Sequence, residues 1–324
     1  CTCWSRVSVV VSYFPGAHAH RTNSSNSMRT TGFSLSPGGL FLPYHMGVLA
    51  GLEYNRVLTP ESPLAGASAG GIAGASHGCG IAGPKVLEAT ITIAQDCARQ
   101  GGALGRVMPH LRYQLDQLVG EAEFECFQSR PSPVAIAYRE VFPNNRHHHT
   151  TEFQDRHELI DTICHSSMFP FFTSPWPVAV DTTKRGQMLP RLVVDGFFAV
   201  PPERFGCPDF DLAGVSVDRT VLITPFPHQS MGMNAVLESS QDCISPPPFT
   251  DDPHSLQLTK WLLTSTQPLS REVLTDLYEQ GWKDAENWHE REQDRTQDEQ
   301  VDDESDAKPE ERKSSTWWDK WLHE

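Results

Sequence analysis

Nine residues, Leu64-Ala65-Gly66-Ala67-Ser68-Ala69-Gly70-Gly71-Ile72, constrain this chain more than any other stretch. They read as a short buried strand, a tight turn with serine at its tip, and the start of a helix. The reason is steric. A Gly-x-Ser-x-Gly turn forces the serine into a strained backbone conformation, and only small residues two positions to either side, Gly66 and Gly70, let strand and helix approach closely. The Ser68 hydroxyl then stands above the sheet with a helix N-terminus beneath it, where N–H groups and the helix dipole favour developing negative charge. The pattern fits a nucleophile at Ser68, and it also fits a Gly/Ala/Ser-rich helix start without chemistry.

The flanking elements decide what kind of sheet this turn belongs to. Gly32-Phe33-Ser34-Leu35-Ser36 reads as a strand running into Pro37-Gly38-Gly39, and a helical pattern follows with Tyr44, Val48, Leu49 and Leu52 on one face. Gly47 marks a place where a neighbour packs closely. The Pro37-Gly38-Gly39 stretch is either an ordinary tight turn or a loop whose N–H groups point at an anion. Two successive strand-turn-helix units imply an α/β fold with a mainly parallel central sheet. Pro84 opens an amphipathic helix that Gly101-Gly102 ends, and a further helix is expected from Leu104 to Leu118.

Pro133 to Phe142 reads as a strand with a hairpin partner near His147 to Phe153. The His147-His148-His149 triplet suits a solvated hairpin edge better than a metal site, because adjacent strand residues point to opposite faces and no carboxylate or cysteine sits at ligand spacing. Asp155 with Glu158 resembles a capping box opening a helix from Arg156 to His165, which Ser166-Ser167-Met168-Phe169-Pro170 stops. Leu192-Val193-Val194 is an apolar strand ending in Asp195-Gly196. It reads either as a carboxylate at the carboxyl end of a parallel strand, where functional groups gather, or as an Asp-Gly turn. Arg219 to Pro225 is a further buried strand, Pro246-Pro247-Pro248 breaks the chain, and helices are expected over Leu256 to Leu263 and Ser270 to Trp282.

Charge excludes one class. The net charge is -15, and from Lys283 to Lys313 thirteen acidic residues face six basic ones. No basic stripe of the kind nucleic acids require is present. The acidic run is expected to be disordered or a loose helix, ending in the Trp317-Trp318-Asp319-Lys320-Trp321-Leu322 cluster, which suits a membrane interface, a partner groove, or packing on its own domain. The eight cysteines lack any Cys-x-x-Cys pair, which fits a reducing compartment. Cys1 to Leu52 contains no acidic residue, a bias that marks an organelle transit segment or an unstructured lead-in.

In order and local wording these motifs resemble the patatin-like phospholipase family, and within it the adipose triglyceride lipase and adiponutrin branch. The matching residues are Phe33-Ser34-Leu35-Ser36-Pro37-Gly38-Gly39, Tyr44-His45-Met46-Gly47-Val48, Gly66-Ala67-Ser68-Ala69-Gly70, Cys164 to Pro170, Val194-Asp195-Gly196 and Thr224-Pro225-Phe226. The resemblance covers roughly Gly32 to Pro248 and implies a three-layer α/β/α fold; with the C-terminal helices the expected domain runs over residues 32–282, between a lead-in of 1–31 and an acidic tail of 283–324. It implies a lipid acyl hydrolase with Ser68 as nucleophile, Asp195 as base, and Gly38, Gly39 and Ala69 as the oxyanion hole, needing no metal or cofactor. The substrate is then a triacylglycerol or phospholipid, met by a cytoplasmic protein peripheral to a membrane or lipid droplet. Two features depart from the family pattern: Pro37 stands where the glycine loop usually begins and has no N–H to donate, and Leu40 and Phe41 stand where a basic residue commonly follows the glycines. Phe169 to Phe172 and Pro175-Trp176-Pro177 are placed to form an apolar mouth or to fill the core. Two other readings are an α/β-hydrolase triad of Ser68, Asp195 and His228 or His254, and a catalytically weak lipid-surface protein.

Overall fold

The computed structural model describes residues 30–181, 190–237, 239–248 and 256–306. The lead-in up to residue 29, His254 and the Trp-rich end lie outside the described residues.

The strands are β1 (Thr31–Leu35), β2 (Leu64–Ala67), β3 (Val134–Phe142), β4 (Arg146–Thr150), β5 (Ala179–Asp181), β6 (Arg191–Val194), β7 (Arg219–Ile223) and β8 (Cys243–Ile244). The helices are α1 (Leu42–Tyr54), α2 (Ala69–Gly78), α3 (Gly83–Arg99), α4 (Val107–Leu118), α5 (Glu121–Gln128), α6 (Arg156–Ser166), α7 (Leu256–Thr264) and α8 (Arg271–Asp306). One sheet carries the order β5-β6-β3-β2-β1-β7-β8, with β4 also paired to β3. The five strands from β3 to β8 in that order run parallel. β4 and β6 pair with β3, and β5 with β6, in antiparallel fashion.

Strand alternation builds two unlike faces. Phe33, Leu35, Leu64, Val134, Ile136, Val221 and Ile223 belong to the main core, together with Leu49 of α1, Ile72 of α2, Val86 of α3, Leu111 of α4 and Leu159 of α6. The opposite face is paved with alanine. Ala65 and Ala135 pack under Phe210, and Ala67 and Ala137 under Ala199. Small side chains there let a third layer of short helical turns, Gly196–Ala199, Pro202–Arg204 and Asp211–Ala213, lie directly on the sheet. The architecture is three-layer α/β/α, with its long helices gathered on one side.

Two helices depart from the sequence reading. α1 was expected to bury one stripe, yet almost every residue from Leu42 to Leu52 is buried. The cause is α8, whose backbone crosses α1 in direct contact. A Cβ added to Gly47 would sit 1.9 Å from the Tyr278 carbonyl oxygen, and one added to Gly281 would sit 2.1 Å from that of Tyr44. Tyr44 is fully buried and donates its hydroxyl to Asp284 Oδ2 at 2.7 Å. α8 also runs on past Trp282, into the acidic stretch read as disordered or a loose helix. Ala285 and Trp288 are buried, and Glu292 binds the Arg219 guanidinium through both carboxylate oxygens. A charged sequence stays helical here because its apolar positions meet the core and its acids meet a partner.

The remaining differences are small. α5 was not anticipated; its eight residues carry too few periods for a pattern to register, though Phe124 and Phe127 are buried. At α6 the Asp155 side chain accepts from the Glu158 N–H at 2.8 Å, while Glu158 accepts from the Gln154 N–H rather than from the cap residue itself. No described helix is long and apolar enough to cross a membrane. The six described cysteines are all buried, and none forms a disulfide among the described residues.

Candidate functional site

The turn at Ser68 has the geometry its glycines permit. Ser68 takes φ +54° and ψ −122° between β2 and α2. This is a positive-φ conformation that non-glycine residues rarely adopt, so it is held by its surroundings. A Cβ on Gly66 would lie 2.3 Å from the Gly70 carbonyl oxygen, and one on Gly70 would lie 2.4 Å from that of Leu35. Both glycines are therefore required for strand and helix to approach. The Ser68 N–H donates to Ser166 Oγ at 2.9 Å, a buried bond to the last residue of α6.

Asp195 reaches the same point from a different direction than expected. The reading of a parallel strand with functional groups at its carboxyl end is corrected: β6 runs antiparallel to β3, with Val194 opposite Arg139. The chain then turns inward, and Gly196 lies against the alanine-paved face. A Cβ there would meet the Ala137 carbonyl oxygen at 2.3 Å and the Ala67 methyl at 2.7 Å. Ala67 is the residue before Ser68, so this close approach delivers Asp195 to the elbow. The Asp195 N–H donates to the Met168 carbonyl at 2.9 Å, and Oδ1 accepts from the Phe197 N–H at 2.8 Å.

The carboxyl of Asp195 is fully buried, and burial pushes its pKa up to about 7, opposed by the Phe197 N–H and by the Ser68 hydroxyl. Oδ2 has no hydrogen-bond partner among the described residues. The Ser68 hydroxyl is the side chain beside this carboxyl that favours its ionised form against burial. Such a carboxyl is a weak acid poised to accept a proton near neutral pH.

The glycine loop borders the elbow. Gly38 is close to it, since a Cβ on Gly38 would sit 3.6 Å from that of Ala69. Gly39 adopts φ +55°, and Ser265, just beyond α7, accepts the Leu40 N–H at 2.8 Å. Among the described residues no backbone acceptor pairs with the N–H of Gly38, Gly39 or Ala69. Pro37 packs over Gly206 in the third layer.

A narrow cavity of about 40 Å³ joins these pieces, with Gly39, Ser68 and Ala69 at one end and Ile72, Ile93, Val107, Leu111 and Phe172 as apolar walls. At its rim two loops are tied together by the Gly105 N–H to the Phe172 carbonyl (2.6 Å) and the Met108 N–H to that of Thr173 (2.7 Å). They present Leu104, Phe171 and Trp176 to solvent, each at least 60% exposed. The expected aromatic stretch thus divides. Phe172 lines the cavity, Phe171 and Trp176 stand outside it, and Phe169 packs on Phe197 and Phe198.

Among the described residues, neither His228 nor the His147-His148-His149 triplet lines the Ser68 cavity. His228 shares a hydrogen bond of 2.8 Å with Ser245 Oγ. His148, read as part of a solvated edge, stacks on Tyr138 with ring centroids 4.7 Å apart and lies 3.1 Å from Glu140 Oε2. Arg191 binds the same carboxylate at 2.9 Å. No three His, Cys, Asp or Glu side chains converge as a metal site among the described residues.

No family model matches the chain, and no curated protein matches it in sequence. Among solved structures it is similar to VipD from Legionella pneumophila, with a TM-score of 0.44 and 8% sequence identity. That alignment covers 80% of this chain and 66% of VipD, just under two thirds of its length.

Sequence reasoning gave the Ser166-Ser167-Met168 turn no role at the site, reading it as a helix stop within one matching motif. Its first residue holds the Ser68 N–H and its third holds the Asp195 N–H. The available signal was two consecutive serines directly before the apolar Met168-Phe169 pair.

Proposed function

We propose that this chain hydrolyses carboxylic esters of lipids with Ser68 as nucleophile and Asp195 as general base. The observation that carries the reading is a fully buried carboxyl with a pKa near 7 and one unpaired oxygen, facing a serine on a strained elbow. Asp195 takes the Ser68 proton as Oγ attacks the ester carbonyl. The resulting oxyanion is met by the N–H groups of Gly38, Gly39 and Ala69 at the α2 N-terminus. Collapse expels the alcohol, which takes the proton from Asp195. A water deprotonated by Asp195 then releases the fatty acid from Ser68.

A lipid rather than a water-soluble ester is favoured by the apolar cavity and by the exposed Leu104, Phe171 and Trp176 at its mouth. Such side chains suit the interface of a membrane or droplet, where one end is apolar and the other wet. Pockets that enclose drug-sized ligands run to about 300 Å³ or more, so the 40 Å³ cavity accepts a long acyl chain only when the Phe171 to Trp176 loop moves. Docking at a lipid surface supplies that motion. Triacylglycerol, as the resemblance to the adipose triglyceride lipase branch implies, and phospholipid are both substrates of this chemistry. A catalytically weak lipid-surface protein is the second reading, and Pro37 favours it.

The test is incubation of the purified chain with a fluorophosphonate, followed by peptide mass spectrometry, beside fatty-acid release from triolein emulsions and phosphatidylcholine vesicles. An adduct on Ser68 and release from either lipid are expected. A chain without adduct that releases no fatty acid ends the hydrolase reading. Joint replacement Phe171→Ser and Trp176→Ser is expected to lower the rate on vesicles by tenfold or more while leaving a monomeric short-chain ester within twofold; equal losses on both would show the mouth acts on chemistry rather than on docking.

A further inference from the structure

Four hydroxyls stand in the wall of the Ser68 cavity: Ser68 itself, Thr90, Ser167 and Thr173. Thr90 donates to the Val86 carbonyl at 2.8 Å, and Thr173 to that of Phe169 at 3.2 Å. Ser68 faces Asp195. Ser167 is the exception: it is 2% exposed and its Oγ has no hydrogen-bond partner among the described residues. A buried hydroxyl without a partner is unfavourable, and in native structures such a group is explained by a ligand, a water or a catalytic role.

Its position narrows the choice. Ser167 lies between Ser166, which holds the nucleophile's N–H, and Met168, which holds that of the base. The three-residue turn thus spans both halves of the site and directs its middle side chain into the cavity that Gly39 and Ala69 also line. Its backbone is already engaged: the Ser167 N–H donates to Ile163 and Cys164, and its carbonyl accepts the Phe169 N–H. Only the hydroxyl is left to meet a ligand. An ester in this cavity offers one atom that gains negative charge during attack, the carbonyl oxygen, and at Pro37 the glycine loop has no N–H to offer it.

We propose that Ser167 is a further oxyanion donor: its hydroxyl hydrogen-bonds the ester carbonyl oxygen as it becomes the oxyanion, beside the N–H groups of Gly39 and Ala69. The assignment rests on the hydrolase reading above. No bond of Ser167 is made or broken; it contributes a hydrogen bond that strengthens as charge develops, so its loss falls on kcat rather than on KM.

The experiment measures kcat and KM for p-nitrophenyl butyrate, the rate of fluorophosphonate labelling at Ser68, and the melting temperature, for the wild-type chain, Ser167→Ala and Ser167→Thr. Loss of one oxyanion donor predicts a fall in kcat of about 10²–10³-fold in Ser167→Ala, with KM within twofold. The melting temperature should be unchanged or raised, because the hydroxyl removed has no partner among the described residues. Ser167→Thr, which keeps the hydroxyl, should recover at least a tenth of the wild-type kcat. The proposal is overturned if Ser167→Ala keeps kcat within twofold, if only KM rises, or if threonine restores nothing while the alanine variant melts lower. A wild-type chain that neither labels at Ser68 nor hydrolyses the ester sinks the hydrolase reading itself, and this assignment with it. An active wild type with an equally active Ser167→Ala sinks this assignment alone.

Discussion

Replacing Ser68 with alanine lowers kcat for ester hydrolysis by about 10⁶-fold, the scale seen when a nucleophilic serine is removed from a serine hydrolase. The same change leaves the fold intact. Alanine carries the same Cβ as serine and the same steric cost at φ +54°, so the strain at the elbow does not change. The bond that holds the turn runs from the backbone N–H to Ser166 Oγ and survives the substitution. Fatty-acid release together with thermal melting separates this outcome from a folding defect: activity disappears and the melting temperature holds within a few degrees. Equal rates from Ser68→Ala and the wild type would mean that another group performs the chemistry.

Asp195→Asn gives the second large effect, a fall in kcat of about 10²–10⁴-fold, the range for removal of a general base. Its pH signature is more telling than its size. Burial raises the Asp195 pKa from an ordinary value near 3.8 to about 7. The unprotonated form is the base, so kcat/KM of the wild type climbs with pH and levels off above about 7, rather than levelling off near 4. Stability runs the other way. Between the unfolded and folded values the native state binds the proton and the unfolded chain does not, so stability falls as pH rises from about 4 to 7 and is flat beyond. Asparagine has no charge to bury. The melting temperature of Asp195→Asn therefore exceeds that of the wild type at pH 8, and the gap closes toward pH 4. A wild-type profile already flat at pH 5 would remove Asp195 from the role of base.

Much of this was legible in the sequence, because glycine has few substitutes where backbones touch. Gly66 and Gly70 specify the elbow, and strand, turn and helix follow from them. The position of Asp195 was legible as a residue but not as a geometry. Its strand is too short to reveal direction, and direction depends on pairing with β3 far away in the chain. The strict alternation of Val134-Ala135-Ile136-Ala137, large toward the helices and small toward the third layer, marks the two faces of β3 but not its partner. The reach of α8 was hidden for a different reason. A stretch this acidic looks solvated until Arg219 and the glycines of α1 are placed beside it.

The embrace of α1 by α8 bears on when the protein comes alive during synthesis. α1 follows the glycine loop directly, and its Gly47 and Gly51 are met by residues much further along the sequence, Tyr278 to Ala285. A chain emerging from the ribosome carries its serine, its aspartate and its glycine loop well before that helix arrives. Until then Gly47, Gly51 and Tyr44 face water, and the segment that carries the loop has one side unbraced. Contacts between residues this distant form late in folding. On the proposed hydrolase reading, competence is thereby tied to α8, and a chain that has not yet made it carries the chemical groups without the rigidity to use them.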